Sequence, residues 1–350
     1  MTNQVVLYRK YRPKSFDEVL GQDHIVGILK NAVKLGRISH AYLFSGPRGT
    51  GKTSVARILA KEAGCSEMDL IEIDAASSRG IDEIRVLREA VHLAPFQSPV
   101  KVYIIDEVHM LTKEAFNALL KTLEEPPKHV IFILATTELE KVPETIISRC
   151  QNFSFYKIPE NILRQSAISI AKKEGFEIDD EAAGLVALSA DGSFRDAQSL
   201  LDQIFSLNDP EKKIIGEKIR QFLSVPPRQM VENFILALID KKADEGLEII
   251  QEAAQGNSNI RMFLKLILRD IRSMLLLRLA SQMKKQIEEM LGEREFAFIQ
   301  KHKDDFEPKE MERALKILLD THEIKNRSYI PYLPLELAFL KIISKEKEYE

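Results

Sequence analysis

Residues 46–53 read G-P-R-G-T-G-K-T, a spacing typical of phosphate-binding loops. The glycines let successive backbone N–H groups converge on an anion, and the helix that follows adds the positive end of its dipole. Lys52 would then reach the β- and γ-phosphates, and the Thr53 hydroxyl would ligate Mg²⁺. A glycine-rich turn is the alternative, but an apolar strand pattern before the loop and a helical pattern after it favour a nucleotide site. Its candidate contacts are Gly46, Pro47, Arg48, Gly49, Thr50, Gly51, Lys52, Thr53 and Ser54.

A second candidate group is a pair of carboxylates. The run 101–105 is apolar and β-branched, which indicates a buried parallel strand, and it ends in Asp106 and Glu107. An acid at the end of such a strand completes the Mg²⁺ shell in phosphate-loop enzymes, which predicts that role for Asp106. Glu107 would polarise the attacking water. Two solvated acids at a strand end are the alternative.

Strands and helices alternate through the first 158 residues, which predicts a five-stranded parallel sheet with helices on both faces. The carboxyl ends of its strands are where a site belongs. Gly46, Asp106 and the pair Thr136-Thr137 all fall at such ends. Thr112 is the predicted N-cap of a helix that runs to Glu124. The predicted strands lie near 41–46, 70–74, 101–106, 130–136 and 152–158.

Beyond Pro159 the pattern predicts helices alone. A helix opens at Ser193 as a capping box after Asp191-Gly192, and long amphipathic helices follow residue 225. We therefore expect an α/β nucleotide-binding core over 1–158, a small helical lid over 159–222 and an all-α collar or oligomerisation domain over 223–350.

Composition is that of an ordinary globular chain: 350 residues, 45% hydrophobic, 29% charged and a net charge of −3. Any nucleic-acid contact must then be a local patch, such as residues 1–40. The apolar stretch 262–280 contains five charged residues, which indicates a buried helix rather than a membrane span. With no signal peptide visible and two distant cysteines, Cys65 and Cys150, the expected location is the cytoplasm.

The chain resembles the gamma/tau subunits of bacterial DNA polymerase III, the AAA+ ATPases of the sliding-clamp loader. The resemblance covers nearly the whole chain, more loosely in the last third. Its motifs are YRKYRP at 8–13, FDEV at 16–19, GQ at 21–22, residues 40–54, EIDAAS at 72–77, DEVHML at 106–111, NALLKTLEEPP at 117–127, ATTE at 135–138, SRC at 148–150 and YLPLELA at 332–338.

The resemblance implies that Arg149 reaches the γ-phosphate bound by the neighbouring subunit. A guanidinium supplied in trans stabilises charge on the transferred phosphoryl group and is typically worth 10³–10⁵-fold in rate. A surface arginine paired with a nearby carboxylate is the alternative, and the residues without the family would favour it.

Two further roles follow from the resemblance. Thr137 matches the residue that senses the γ-phosphate, with Thr136 as a competitor. Arg195 matches a lid arginine that contacts nucleotide in cis. A cation in the first turn of a helix is electrostatically unfavourable, which suggests a bound phosphate; a salt bridge to Asp191 or Asp196 is the alternative.

The resemblance also places an N-terminal segment against the adenine. An aromatic ring and a proline of fixed φ can form a flat apolar wall for a base, and packing against the first helix does not exclude this. The predicted contacts are Tyr11, Arg12, Pro13, Val19 and Gln22.

The sequence departs from the family near Cys65. Members commonly carry a four-cysteine zinc module there, whereas here residues 66–69 lead directly into the next strand, so we expect no zinc. The longer family form holds the polymerase and helicase through an extension beyond the equivalent of Glu350. Both a natural short form and a truncated chain fit this sequence.

The implied cofactors are ATP and Mg²⁺. The implied partners are other loader subunits in a pentameric ring with several copies of this chain, the sliding clamp, and primer–template DNA held through its backbone, with no membrane. Residues 77–80 are one candidate phosphate contact, and the helices after Ala76 and Thr112 are candidate clamp contacts.

Three other protein classes compete with this interpretation. An archaeal-type loader small subunit has the same chemistry. A non-hydrolysing structural subunit typically has a broken phosphate loop, whereas the loop and acid pair are intact here. A branch-migration helicase motor predicts a basic C-terminal domain, but residues 221–350 hold 21 Lys+Arg against 22 Asp+Glu.

Overall fold

The computed structural model of the chain describes residues 5–77, 81–207, 212–324 and 330–344. The chain divides into two compact units. The first comprises residues 1–178 and 186–213, and the second comprises residues 179–185 and 214–350. The three-part division at 158 and 222 stays a prediction.

The first unit contains a five-stranded parallel sheet, as predicted. The fifth strand ends at residue 154 rather than 158, because it pairs with β1 alone and its last pair is Ser154 with Ser45, where β1 turns into the loop of residues 46–53. The order across the sheet is β2-β3-β4-β1-β5. The strands are β1 (Ala41–Ser45), β2 (Leu70–Asp74), β3 (Lys101–Asp106), β4 (Val130–Thr136) and β5 (Gln151–Ser154).

Helices cover both faces of this sheet, and every residue of β1 and β4 is buried. Because successive side chains point to opposite faces, Leu43 and Leu134 pack into one apolar core while Phe44 and Ile133 pack into the other. The helices are α1 (Leu7–Lys10), α2 (Asp23–Lys34), α3 (Lys52–Glu62), α4 (Ile81–Val91), α5 (Lys113–Glu124), α6 (Glu144–Ile147), α7 (Glu160–Lys173), α8 (Asp180–Ser189), which crosses the unit boundary, and α9 (Phe194–Phe205).

Two helix starts read from the sequence are confirmed. The Thr112 hydroxyl accepts a hydrogen bond from the Ala115 N–H at 3.3 Å, and the Ser193 hydroxyl accepts one from the Asp196 N–H at 3.2 Å. The prediction of helices alone after residue 159 is wrong in one detail. Two short strands, β6 (Glu177–Ile178) and β7 (Lys213–Ile214), form a small sheet. Two residues are too few for an alternating pattern to show in a sequence.

A hydrogen-bonded clasp centred on Asp69 closes the segment that follows α3. Its carboxylate accepts hydrogen bonds from the Ser98 hydroxyl at 2.7 Å and the Ser66 hydroxyl at 2.9 Å, and from the backbone N–H groups of residues 96–98. Burial raises the pKa of Asp69, but the hydrogen bonds, led by that from Ser98, outweigh burial and hold the pKa well below its usual range. The clasp therefore connects Asp69, the residue before β2, to residues 96–98, which precede β3.

In the second unit, the described residues 216–324 and 330–343 form helices and the turns between them. The aromatic ring of Phe234 lies 5.4 Å from that of Phe263 and 5.2 Å from that of Phe339, which marks the centre of its core. Within the described residues, no helix is both long and apolar enough to span a bilayer. The helices are α10 (Gly216–Phe222), α11 (Arg228–Ile239), α12 (Ala243–Gln255), α13 (Ile260–Leu279), α14 (Lys284–Met290), α15 (Glu293–His302), α16 (Pro308–Ile324) and α17 (Leu333–Ile343).

A buried ionic cluster joins α11, α13 and α15 within this unit. Asp270 is 0% exposed and accepts a hydrogen bond from Arg228 Nη1 at 2.5 Å. Arg228 Nε also donates to Glu232 at 2.9 Å, and Arg269 pairs with Glu295 at 2.9 Å. Burial raises the pKa of Asp270, and the neighbouring arginines act against that effect. The charges of this cluster therefore depend on one another.

Candidate functional site

The loop of residues 46–53 joins β1 to α3 and needs its glycines. Gly46 has φ +136°, and a Cβ there would lie 2.2 Å from the Phe155 carbonyl oxygen. Gly49 has φ +75°, and a Cβ there would lie 2.0 Å from Ser193 Oγ at the start of α9. Only glycine combines such backbone angles with such close packing. The loop is thus held between the residue that follows β5 and the start of α9.

Lys52 is folded back into this loop. Its Nζ donates hydrogen bonds to the Gly46 carbonyl at 2.6 Å and to the Pro47 carbonyl at 2.9 Å, and the residue is 6% exposed. Burial lowers its pKa, while the carboxylates of Glu107 and Asp106 act in the opposite direction. If a phosphate were bound in the loop, the ammonium group could donate to its oxygens instead of to these two carbonyls.

The predicted metal ligands meet at one point. Asp106 ends β3, and its Oδ2 accepts a hydrogen bond from Thr53 Oγ1 at 2.8 Å. A carboxylate and a hydroxyl are hard oxygen donors of the kind that Mg²⁺ takes from proteins, with substrate phosphates and water completing its octahedron. The pair fits the predicted magnesium position.

Glu107 adopts an uncommon backbone conformation next to this pair. Its φ of +50° is in the left-handed region, which costs a non-glycine residue on the order of 1 kcal/mol and is often found at functional sites. Its Oε2 accepts hydrogen bonds from the Thr137 hydroxyl at 2.9 Å and the Thr137 N–H at 3.3 Å. The backbone turn and Thr137 together set the direction of the carboxylate.

The two neighbouring threonines are distinguished by their contacts. The Thr136 side chain is buried and lies 3.0 Å from His109 Nδ1, whereas Thr137 contacts Glu107. His109 also lies within 3.4 Å of Glu107 and 3.3 Å of Glu138. The sequence reasoning assigned no role to His109, although it stands three residues after Asp106 in the quoted DEVHML motif.

A pocket beside the loop brings most of the predicted nucleotide contacts together. Of the N-terminal residues expected to wrap adenine, all but Gln22 line it. The sequence reasoning missed six further lining residues, since their contacts cross large sequence separations; only Tyr8 and Glu18 stood in quoted motifs. The residues that line the pocket are Tyr8, Tyr11, Arg12, Pro13, Glu18, Val19, Leu20, Arg48, Gly49, Thr50, Gly51, Lys52, Thr53, Ser54, Asp106, Glu107, Ser166, Phe194, Arg195 and Gln198.

Gln22 lies fully buried beneath the pocket and does not line it. Its Nε2 donates to the Tyr156 carbonyl at 2.8 Å and to the Thr50 carbonyl at 3.4 Å, and its Oε1 accepts from the Tyr156 N–H at 3.3 Å. Both ends of the amide are therefore used to tie the loop to the chain after β5. This geometry fits a support for the loop rather than a direct adenine contact.

Tyr11 and Arg195 both line the pocket, and each also contacts a further side chain. The Tyr11 hydroxyl donates to Glu174 at 2.5 Å, and burial together with that bond raises its pKa to about 12. The guanidinium of Arg195 lies 5.7 Å from the centre of the Tyr8 ring. Asp191, one of the carboxylates considered for Arg195, pairs with Lys157 at 2.7 Å. Arg195 thus stands at the pocket wall in the first turn of α9.

The pocket has a strongly positive margin. A cleft next to it is lined by five arginines, and the guanidinium of one of them, Arg57, pairs with Glu72 at 2.5 Å. Burial lowers the pKa of Arg12, and the positive charge of Arg57 lowers it further. Such a field favours a ligand with several negative charges. The cleft is lined by Tyr8, Arg9, Arg12, Arg48, Arg57, Arg195 and Ser199.

Arg149 lies away from this pocket. It follows α6, where its Nη2 donates to Glu124 at 2.5 Å and its Nη1 donates to the Thr145 carbonyl at 2.7 Å. Within one chain, the paired surface arginine considered from the sequence is what is observed. A role on a neighbouring subunit stays a prediction. Of the predicted DNA-contact segment, residues 78–80 lie outside the described residues.

Comparison with known proteins shows which family this chain resembles. The family model for the DNA polymerase III delta subunit matches residues 21–76 and 66–159, and the model for the ATPase lid domain of the DNA polymerase III clamp loader subunit matches residues 163–207. The tau subunit of DNA polymerase III from Bacillus subtilis is 38% identical over 96% of this chain. This chain belongs to the DNA polymerase III gamma/tau family.

Other relatives of this gamma/tau chain agree. The gamma/tau subunit of Mycoplasma genitalium is 41% identical over 74% of the chain, and the tau subunit of Escherichia coli is 41% identical over 71%. The chain spans 62% of the Bacillus relative, 47% of the Mycoplasma one and 42% of the Escherichia one. The family and the AAA+ fold imply ATP and Mg²⁺ as ligands.

A solved structure supports the fold of this chain. The RuvB Holliday junction branch migration motor of Thermotoga maritima aligns with a TM-score of 0.52 over 65% of this chain and 79% of that one. At 22% identity this likeness concerns the fold alone.

Proposed function

We propose that this chain is the ATPase motor subunit of a bacterial sliding-clamp loader within the DNA polymerase III holoenzyme. ATP binding and hydrolysis would open the clamp and load it on primer–template DNA during replication. The observation that carries the proposal is the convergence of Lys52, Thr53, Asp106, Glu107 and Arg195 at one pocket in a gamma/tau-family chain.

In this proposal the chemistry at the pocket is hydrolysis of the β–γ phosphate bond. Mg²⁺, held by Thr53 and Asp106, would neutralise charge on the phosphate oxygens. Glu107 polarises the attacking water, and Thr137 holds its carboxylate through the two hydrogen bonds to Oε2. Lys52 exchanges its loop carbonyls for phosphate oxygens, and Arg195 approaches the phosphates from α9.

Assembly would complete the site. Several copies of the chain, with other loader subunits, would form a pentameric ring in which Arg149 of one subunit reaches the ATP of the next. Residues 1–158 would act as the AAA+ core, 159–222 as the lid and 223–350 as the collar. The ring would hold DNA through backbone phosphates without reading bases, in the cytoplasm and without a membrane.

Steady-state ATP hydrolysis by the reconstituted loader tests the proposal. We expect strong stimulation that requires both the clamp and primed DNA, and its loss in Lys52→Ala. Hydrolysis indifferent to the clamp, or stimulated equally by any DNA, would assign the chain to another AAA+ machine. An Arg149→Ala loader should bind ATP normally and lose DNA-stimulated turnover; full turnover would remove the trans role.

A further inference from the structure

The contacts of Arg149 involve both terminal nitrogens of its guanidinium. Nη2 donates to Glu124 Oε1 at 2.5 Å, and Nη1 donates to the Thr145 carbonyl at 2.7 Å and to Ser148 Oγ at 3.3 Å. The side chain is nevertheless 34% exposed, and that of Glu124 is 46% exposed. The guanidinium is therefore held within its own chain but at the surface, where it can exchange partners.

The position of Glu124 is set by the end of α5. It is the last residue of that helix, and Pro126-Pro127 follows after Glu125, which prevents the helix from continuing. A carboxylate at a helix C-terminus is opposed by the helix dipole and needs a cation nearby. Arg149 supplies that cation. Glu125, the adjacent carboxylate, is also exposed and has no ion pair among the described residues.

We propose that Glu124 is a positioning residue. It keeps Arg149 in an ion pair within its own chain until the triphosphate bound by a neighbouring subunit comes within reach of the guanidinium. A guanidinium binds a carboxylate and a phosphate through the same N–H groups, so the two anions compete for it. The γ-phosphate carries more negative charge than a carboxylate, so Arg149 leaves Glu124 and binds the γ-phosphate once that group is within reach. This inference rests on the trans role of Arg149 in the proposed function.

The rate consequence has a definite sign. Before clamp and DNA align the subunits, the Glu124 pair keeps Arg149 away from the neighbouring site and lowers basal hydrolysis. After alignment, Arg149 is on the phosphate and Glu124 has no further effect. An ion pair this exposed shifts such an equilibrium by about two- to fivefold.

The test uses the reconstituted loader with Glu124→Gln, which removes the charge and keeps the size of the side chain. We expect basal hydrolysis to rise about two- to fivefold. The rate with clamp and primed DNA should not change, so the stimulation ratio falls by the same factor. Glu125→Gln is the matched control and should behave as wild type. Equilibrium binding of a fluorescent ATP analogue should be equal in all three.

A double variant separates positioning from a general effect on the fold. If Glu124 acts through Arg149, Glu124→Gln should have no effect in an Arg149→Ala background. A basal rate of Glu124→Gln equal to wild type, or an equal change in both backgrounds, overturns this inference alone. Full DNA-stimulated turnover in Arg149→Ala would instead show that the trans role itself is absent.

Discussion

Replacing Glu107 with glutamine removes the negative charge of this side chain while keeping its size, and so tests whether the charge is needed for hydrolysis. The Glu107 carboxylate accepts two hydrogen bonds from Thr137 through a single oxygen, Oε2. The amide oxygen of glutamine can accept the same two bonds, so the side chain should keep its direction. The variant then lacks only the negative charge that would polarise water.

The expected loss follows from the role of a general base. Such a group contributes typically 10²–10⁴-fold, so hydrolysis by Glu107→Gln should fall by about that factor. ATP binding should be retained. It should tighten by up to about fivefold, because a negative charge near the phosphates is removed and two charges about 4 Å apart in water repel by ~1 kcal/mol.

Single-turnover hydrolysis by the reconstituted loader, with equilibrium binding of a fluorescent ATP analogue, measures both quantities. Glu138→Gln is the matched control: its carboxylate also lies beside His109, at 3.3 Å, but does not line the pocket. It should hydrolyse ATP within about fivefold of wild type, since exposed pairs such as those of Glu138 with His109 and Lys141 are worth ~1 kcal/mol or less. A Glu107→Gln loader within tenfold of wild type would refute the assignment of the base.

Three more predictions concern the loop, the clasp and the buried ions. Gly49→Ala should weaken ATP binding far more than Gly51→Ala, because both have positive φ but only at Gly49 would a Cβ meet a neighbour, at 2.0 Å; equal losses would contradict this. Asp69→Asn should lower the melting temperature at pH 7. Because the pKa of Asp69 is lower in the folded than in the unfolded protein, its ionised carboxylate stabilises the fold above pH ~4, and this stabilisation is lost as the pH falls further. The melting temperatures of the two proteins in thermal scans should therefore converge in acid. A constant difference between them would exclude a stabilising role for the hydrogen bonds of the clasp. Arg228→Met should cost about 3–5 kcal/mol in urea unfolding, because it removes the 2.5 Å partner of fully buried Asp270, and an added Asp270→Leu should recover much of it.

The parts of the candidate site that the sequence alone could indicate are local in the chain. The loop of residues 46–53 and the carboxylates at the end of β3 each lie within one short segment. Their meeting follows from a parallel sheet that puts all strand ends at one edge. The capping hydroxyls at Thr112 and Ser193 are local for the same reason, since each bonds a backbone group three residues away.

The contacts that the sequence did not predict connect distant segments. Gln22 matches a family motif, yet its amide binds Tyr156, and nothing in its own neighbourhood indicates that partner. Tyr8 and Arg195 face one another from opposite ends of the first unit's sequence. The pairing of Glu124 with Arg149 joins two helix ends whose distance is set by β4 and the turns around it. Such partners are fixed by tertiary packing.

The strand order has a consequence for the time at which this site can form on a ribosome. β1 leads into the loop of residues 46–53, but its neighbours are β4 and β5, and Ala41 pairs with Phe132. The loop therefore leaves the exit tunnel long before the strands that support it, and pairings so distant in sequence form late. Nucleotide binding by nascent chains would then begin only after β4 and β5 have emerged, as a signal that the whole core has closed.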